Sequence, residues 1–372
     1  MASIQKRPNG RWRARYRDPD GREHARHFDR RTDAQQWLDT VTAQLVRGDY
    51  IDPRGGKVTL REFVDVWLRQ QTTGVTTQEA VEQRLRRHVL PHLGNRELRA
   101  IKPSTLQAWL RGLQGDLAPN TIKVVFANLS SVLGAAVEDG LIASNPCAAR
   151  SVRPPRVDQR QVIPWTRERV AAVIDAHPDR WHAVPVVAAA CGLRQGETFG
   201  IAVEDVDFLR RQLRVRQQVK VAKGRRVLDS PKTKKSRTVP LPDVAAFAIS
   251  ERLRKYPARD GLVFTTREGG MLHSSYYNRH VWKPALRTAG VEPSRENGMH
   301  ALRHHYASAL LSAGVSIRAV AEYLGHADPG YTLRSYAHLM PQDEDRARTA
   351  IESALQDPRP ADSVRTDAPA DQ

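Results

Sequence analysis

Two short segments that suit neither helix nor strand interrupt the chain, and they constrain its fold more than any other feature. Asp52-Pro53-Arg54-Gly55-Gly56 combines residues that break both regular structures. Ser144-Asn145-Pro146 opens a second break that runs to about Gln161 and contains Pro154-Pro155. The stretches between the breaks follow different hydrophobic periods, so the 372 residues divide into pieces of different architecture. We expect a small domain over 1–52, a helical domain over 58–148, a linker over 149–162 and a mixed domain over 163–356. Residues 357–372 are rich in Asp, Pro and Ala and are expected to be disordered.

The first piece reads as a small β-sheet followed by a helix. Pro8-Asn9-Gly10 and Asp18-Pro19-Asp20-Gly21 are turn signals flanking Arg11-Trp12-Arg13-Ala14-Arg15-Tyr16-Arg17. In a strand, alternate side chains face opposite ways, so Trp12, Ala14 and Tyr16 share one face while Arg11, Arg13, Arg15 and Arg17 share the other. Four like charges on one face repel unless phosphates neutralise them, and a duplex groove admits a sheet or β-ribbon. The plainer reading is the solvated face of a half-buried strand. After Thr32, the residues Trp37, Leu38, Val41 and Leu45 fall at helical spacing up to Gly48.

The second piece is helical. Thr59 with Glu62, and Thr76 with Glu79, both fit a capping box. Helices are expected after Pro103-Ser104 and Asn120-Thr121, the latter placing Ile122, Val125, Phe126, Leu129 and Leu133 on one face and stopping near Gly140. This makes four or five helices. The linker that follows carries Arg150, Arg153, Arg156 and Arg160; it either wraps a nucleic acid or is a solvated tether. In the third piece we expect helices over 167–176 and 183–191. Strands over about 213–219, 226–228 and 237–240 come next, followed by more helices.

Composition excludes several classes of function. The longest apolar run, 183–193, contains Pro185 and falls short of the about 20 residues that cross a bilayer. No secretory segment opens the sequence, and Cys147 and Cys191 are too few for a disulfide framework or a zinc cluster. Together these suggest the cytoplasm. The formal charge of +18 points to a polyanionic partner, most often nucleic acid, although a compositional bias towards Arg accounts for it equally well. Of the 59 basic residues, 48 are Arg, whose planar fork of donors suits phosphate.

Four segments gather polar groups in apolar surroundings. In Cys191-Gly192-Leu193-Arg194-Gln195-Gly196-Glu197, an apolar helix runs into glycine and then arginine, with Glu197 within reach of Arg194. The second is Ser230-Pro231-Lys232-Thr233-Lys234-Lys235-Ser236-Arg237. Five of only 11 lysines lie over 220–235, and Lys, unlike Arg, can give up a proton, although a solvated hairpin is equally compatible. In the third, His300-Ala301-Leu302-Arg303-His304-His305, a helix would put His300 and Arg303 on one face. His300 and His304 also have zinc-ligand spacing, but Ala301 stands where a metalloprotease motif needs Glu, so no metal is expected. In the fourth, Leu324-Gly325-His326 precedes Tyr336 by ten residues; Gly325 would end one helix and Thr332 cap the next.

Together these segments supply two Arg, a Lys, two His and a Tyr, a set suited to phosphoryl chemistry without a metal. Arg forks can stabilise a pentacoordinate phosphorus, Tyr can attack it once its proton is taken, and Lys or His can protonate the leaving oxygen.

The order of GLRQGE, PKTKKSR, HALRHH, LGH and TLRSYAHL resembles the tyrosine recombinases, specifically phage-type (lambda-like) integrases. The resemblance implies an α+β multidomain fold: a three-stranded sheet plus helix that binds arm sites through Arg11, Arg13, Arg15 and Arg17, a helical core-binding domain, and a mixed, mainly α catalytic domain. It implies that Arg194 and Arg303 clamp the scissile phosphate, with Glu197 supporting the first. Lys232 would be the general acid for the 5′-hydroxyl, His300 would assist proton transfer, and His326 would hydrogen-bond the phosphate. Tyr336 would be the nucleophile, forming a 3′-phosphotyrosyl link. Lys234 and Lys235 adjoin Lys232, so the assignment of the acid rests on the PKT match. The implied partners are duplex DNA at core and arm sites, a homotetramer on that DNA, and a directionality factor and a DNA-bending protein as possible accessories. No cofactor and no membrane are implied. A DNA-binding protein with a decayed site and a type IB topoisomerase-like enzyme are the alternatives; the full catalytic set argues against the first and the arm-like segment against the second.

Overall fold

The computed structural model describes residues 2–18, 21–47, 55–157, 161–231, 235–339 and 344–355. Contacts divide the chain into two compact units, 1–159 and 160–372.

The first unit opens with an antiparallel sheet, β1 (Ser3–Lys6), β2 (Trp12–Arg17) and β3 (Glu23–Phe28), with β2 in the middle. Helix α1 (Arg31–Arg47) covers one face. The alternation in β2 holds: Ala14 and Tyr16 are buried against Ala34, Leu38 and Val41 of α1. The arginine face departs from expectation in one respect, because each arginine has a partner within the protein. Arg13 and Arg15 pair with Glu23 at 3.1 and 3.5 Å, Arg11 pairs with Asp29 at 3.0 Å, and Arg17 donates to the Gly21 carbonyl at 3.1 Å. The register that sets Arg17 opposite Glu23 brings this carboxylate onto the arginine face.

A second core follows, built by α2 (Leu60–Gln70), α3 (Val75–Arg84), α4 (Leu90–Leu93), α5 (Pro103–Leu113) and α6 (Pro119–Glu138), with a π-helical turn at Leu85–Val89 between α3 and α4. Thr59 and Glu62 make the capping box in both directions. The box expected at Thr76 does not form, since α3 already begins at Val75 after Gly74. The Gln78 side chain donates to the carbonyls of Gln71 and Thr73 at 2.6 and 2.8 Å, drawing the chain into the helix two residues early. Helix α6, at 20 residues and mean hydropathy 1.3, is long and apolar enough to cross a bilayer. Scattered polar residues such as Lys123 and Asn128 hide this in the sequence. Its face of Ile122, Val125, Leu129, Val132 and Leu133 is fully buried in the helical core.

In the second unit, α7 (Arg167–Asp175), α8 (Asp179–Cys191) and the short α9 (Gln195–Phe199) precede the strands. The single strand expected over 213–219 is two. A three-stranded sheet holds β4 (Val206–Asp207), β5 (Gln212–Val215) and β8 (Arg237–Pro240), while β6 (Gln218–Ala222) and β7 (Arg225–Asp229) form a separate hairpin. The break follows Arg216, which turns to pair with Asp205 at 2.6 Å. Helices α10 (Asp243–Lys255), α11 (Ser274–Tyr277), α12 (Lys283–Thr288), α13 (His300–Ser312), α14 (Ile317–Leu324), α15 (Pro329–Tyr336) and α16 (Glu344–Leu355) complete the unit. The central helix α8 is buried along most of its length, packing against α10 and α13. Lys232, Lys234 and the tail 357–372 lie outside the described residues.

Candidate active site

The C-terminal end of α14 organises the site. A helix leaves its last carbonyls without partners and carries partial negative charge there. Three consecutive carbonyls accept from three different arginines. Tyr323 O takes Arg237 Nε at 2.7 Å, Leu324 O takes Arg303 Nη2 at 2.5 Å, and Gly325 O takes Arg194 Nη2 at 3.3 Å. Gly325 suits this turn. Its φ of +64° is left-handed, and a Cβ there would stand 2.9 Å from Arg237 Nη1. Gly192, which ends α8, does the same for the other side: φ is +64° and its carbonyl accepts from Arg303 Nη1 at 2.8 Å.

Glu197 balances the cluster from below. Its side chain is wholly buried and pairs with Arg194 at 2.8 Å and Arg237 at 2.8 Å. Burial raises its pKa, but the Arg237 hydrogen bonds and the charges of Arg237 and Arg194 outweigh this and hold it at about 2. Arg194 stands just before α9 rather than inside it, and the pair still closes because the Arg194 N–H also donates to Glu197 Oε2 at 2.9 Å. Arg303 has no carboxylate within 4 Å among the described residues. Burial and the Arg194 charge push it down to about 9, so it stays charged at neutral pH.

Helix α13 brings His300, Arg303 and His304 onto one face, at spacings of three and four residues. His304 Nδ1 lies 2.6 Å from the Tyr336 hydroxyl, and the His300 and His304 rings meet edge to face at 4.6 Å. Tyr336, the last residue of α15, is 2% exposed; burial raises its pKa to about 12, with the Arg303 charge opposing. His304 is held at about 4 by burial and by Arg303. His300 is lowered by packing and by His304, Arg303 and Arg194, although its exposed edge tempers the first cause.

His326 joins the two halves. Nε2 faces Arg303 Nη2 at 3.0 Å and Nδ1 faces Thr332 Oγ1 at 2.7 Å. Since guanidinium only donates, Nε2 is the acceptor and Nδ1 carries the proton. Thr332 is therefore a buried partner of His326, not a cap; Asp328 caps α15, accepting from the Gly330 N–H at 2.8 Å. Tyr331 is half exposed and meets His326 edge-on at 5.0 Å.

The structure thus links Arg194, Glu197, His300, Arg303, His326 and Tyr336 through shared contacts. Arg11, Arg13, Arg15 and Arg17 belong to the other unit. Sequence reasoning passed over two residues. Arg237 opens β8 and read as the end of a lysine-rich segment. His304 read only as half of an unfulfilled zinc spacing; its place beside Arg303 and on the face of His300 was the available signal. Among the described residues, no group of three His, Cys, Asp or Glu is arranged to hold a metal ion.

Residues 167–343 match the profile described as the phage integrase family. Residues 2–47 and 59–114 match the N-terminal domain and the N-terminal SAM-like domain of phage integrases. The integrase of Mycobacterium phage D29 is 26% identical over 370 residues, covering 95% of this chain and 96% of the relative. A protein named tyrosine recombinase XerC-like, from Caldanaerobacter subterraneus, is 29% identical over 324 residues, covering 78% and 82%. Among solved structures, the Tn1549 transposon integrase in complex with a circular intermediate DNA superposes with a TM-score of 0.69 at 20% identity, over 79% of this chain and 99% of that one. A lambda integrase tetramer bound to a Holliday junction gives 0.60 at 17% identity, over 92% and 95%. These two likenesses establish the fold.

Proposed function

We propose that this chain, which belongs to the phage integrase family of tyrosine recombinases, cuts DNA with Tyr336 and reseals it from a 3′-phosphotyrosyl intermediate. It is a site-specific recombinase whose partner is DNA. In our reading, Arg194 and Arg303 clamp the non-bridging oxygens of the scissile phosphate, and Glu197 fixes Arg194. Once the phosphate replaces His326 Nε2 as the partner of Arg303, His326 takes up a proton on Nε2 and donates it in a hydrogen bond to the phosphate; His300 assists proton transfer, and Lys232 protonates the departing 5′-oxygen. Exchanging a phosphodiester for a phosphotyrosine conserves bond energy, so rejoining to a new 5′-hydroxyl needs no ATP and, in our reading, no metal.

The observation that carries this reading is the Tyr336 hydroxyl, held at 2.6 Å by the helix that also bears Arg303. The remaining assignments follow from it and from the family. Residues 163–356 catalyse, 58–148 grip the core site, 149–162 connect the two, and 1–52 read arm sites through Arg11, Arg13, Arg15 and Arg17. A homotetramer assembles on DNA in the cytoplasm, with α16 available to dock on a neighbouring subunit and with a directionality factor and a DNA-bending protein as possible accessories. The test is a nicked suicide duplex. Tyr336→Phe binds it and forms no covalent adduct; an adduct with that variant removes Tyr336 as nucleophile.

A further inference from the structure

We propose that His304 is the base that takes the Tyr336 proton as the phenol attacks phosphorus. The inference rests on Tyr336 being the nucleophile, and it identifies a residue that motif reading left without a role.

Geometry comes first. A base must lie within about 2.6–3.2 Å of the proton it removes, and His304 Nδ1 lies 2.6 Å from the Tyr336 oxygen. The other imidazoles are differently placed. His326 spends Nε2 on Arg303 and Nδ1 on Thr332. His305 turns Nδ1 to the Trp165 carbonyl at 2.9 Å. His300 meets the His304 ring, and among the described residues the Tyr336 hydroxyl is hydrogen-bonded to His304 alone.

Protonation state comes second. With its proton on Nε2, His304 presents a lone pair at Nδ1 to the phenol O–H. Burial and the nearby Arg303 charge keep the ring neutral at physiological pH, which a base requires. An entering phosphodiester brings negative charge that offsets Arg303, so the imidazole becomes more basic when DNA is bound.

The step balances. As the Tyr336 oxygen bonds to phosphorus, its proton passes to Nδ1 and His304 becomes imidazolium. The bond from phosphorus to the 5′-oxygen breaks, and that oxygen takes a proton from the general acid on its own side. In rejoining, the 5′-hydroxyl attacks and gives its proton back to the deprotonated general acid, the phosphotyrosine bond breaks, and imidazolium returns its proton to the phenolate. No oxidant, metal or nucleotide is consumed.

The experiment separates the two sides of the phosphate. The probe is a nicked duplex carrying the direct repeat at the junctions of the encoding element, made with either an ordinary 5′-oxygen or a bridging 5′-sulfur. Sulfur leaves without a proton, so it relieves the need for a general acid and leaves the need for a base. We expect His304→Asn, which keeps a polar group near Nδ1 and takes up no proton, to bind the duplex normally and to form adduct about 10²- to 10⁴-fold more slowly on both probes. Lys232→Ala should be slow on the oxygen probe and recover on sulfur. Should His304→Asn prove unstable, His304→Ala with added imidazole is the second arm, and recovery of rate with imidazole is expected. Unchanged cleavage by His304→Asn, or its recovery on the sulfur probe, overturns the inference. Adduct formation by Tyr336→Phe would instead overturn the nucleophile assignment itself.

Discussion

Glu197 is a carboxylate with no exposed surface between two arginines, and this gives it a measurable signature. Its pKa is lowered in the folded chain, from an ordinary value near 4.5 to about 2. A lowered carboxylate stabilises the fold above its unfolded pKa, and that contribution is lost as pH falls through the folded value. Glu197 therefore contributes about 3 kcal/mol at neutral pH that disappears between about pH 4.5 and 2. Glu197→Gln should unfold more easily at pH 7, by about 3–5 kcal/mol, because two buried guanidiniums lose their counter-charge. Its difference from wild type should shrink across that acid window. Urea unfolding at a series of pH values checks both, and a constant difference down to pH 2 refutes the ion-pair account. Arg194, Glu197, His300, Arg303, His326 and Tyr336 were all legible as short motifs. His304 was not, because its role depends on a side chain 32 residues further on.

At the scale of elements, the helix ends do most of the positioning. Gly192 closes α8 and Gly325 closes α14, each in the left-handed region, and each hands its carbonyl to an arginine. A Cβ on Gly192 would lie 2.3 Å from the Tyr306 ring, a buried group with nowhere to move. A Cβ on Gly325 would meet the outer end of the Arg237 side chain at 2.9 Å. Both alanine variants bear a left-handed penalty of about 1–2 kcal/mol. Gly192→Ala should lose about 1–3 kcal/mol more through overpacking. Chemical denaturation ranks the two, and equal losses would contradict the contact argument. In α2, Thr59→Ala should cost about 1 kcal/mol through the lost cap, whereas Thr76→Ala should leave the α3 start unchanged. The sequence suggested a cap at both places; only the side chain of Gln78, reaching back over the loop, distinguishes them.

For the whole molecule, the +18 charge becomes a statement about DNA affinity. A protein making about 6–10 phosphate contacts loses about 10³- to 10⁵-fold in affinity between about 50 and 200 mM salt. Arg11 and the arginines of β2 are engaged with Asp29, Glu23 and the Gly21 carbonyl, but these are exposed or half-exposed contacts worth about 0–1 kcal/mol. Phosphates of the proposed arm site would replace them at little cost. Changing Arg11, Arg13, Arg15 and Arg17 together to Ala should weaken arm-site binding and lower its log-log salt slope by up to about 3.6. Covalent cleavage at an isolated core site should persist. Fluorescence anisotropy at several salt concentrations gives the slope, and an unchanged slope removes these arginines from the DNA interface.

Local pattern was enough to place the alternating face of β2, the helix of residues 31–47, the Thr59 cap and the order of the reactive motifs. Those features depend on neighbours within a few residues, where backbone periodicity and short-range hydrogen bonds dominate. The tertiary structure alone decided which groups meet in the site. Arg194 reaches Gly325 across 131 positions, Arg303 reaches Gly192 across 111, and Arg237 reaches Tyr323 across 86. A buried guanidinium must find acceptors wherever packing leaves carbonyls exposed. In this chain they are exposed at the ends of two helices, and the route by which the chain brings those ends together is not written in any short stretch of it.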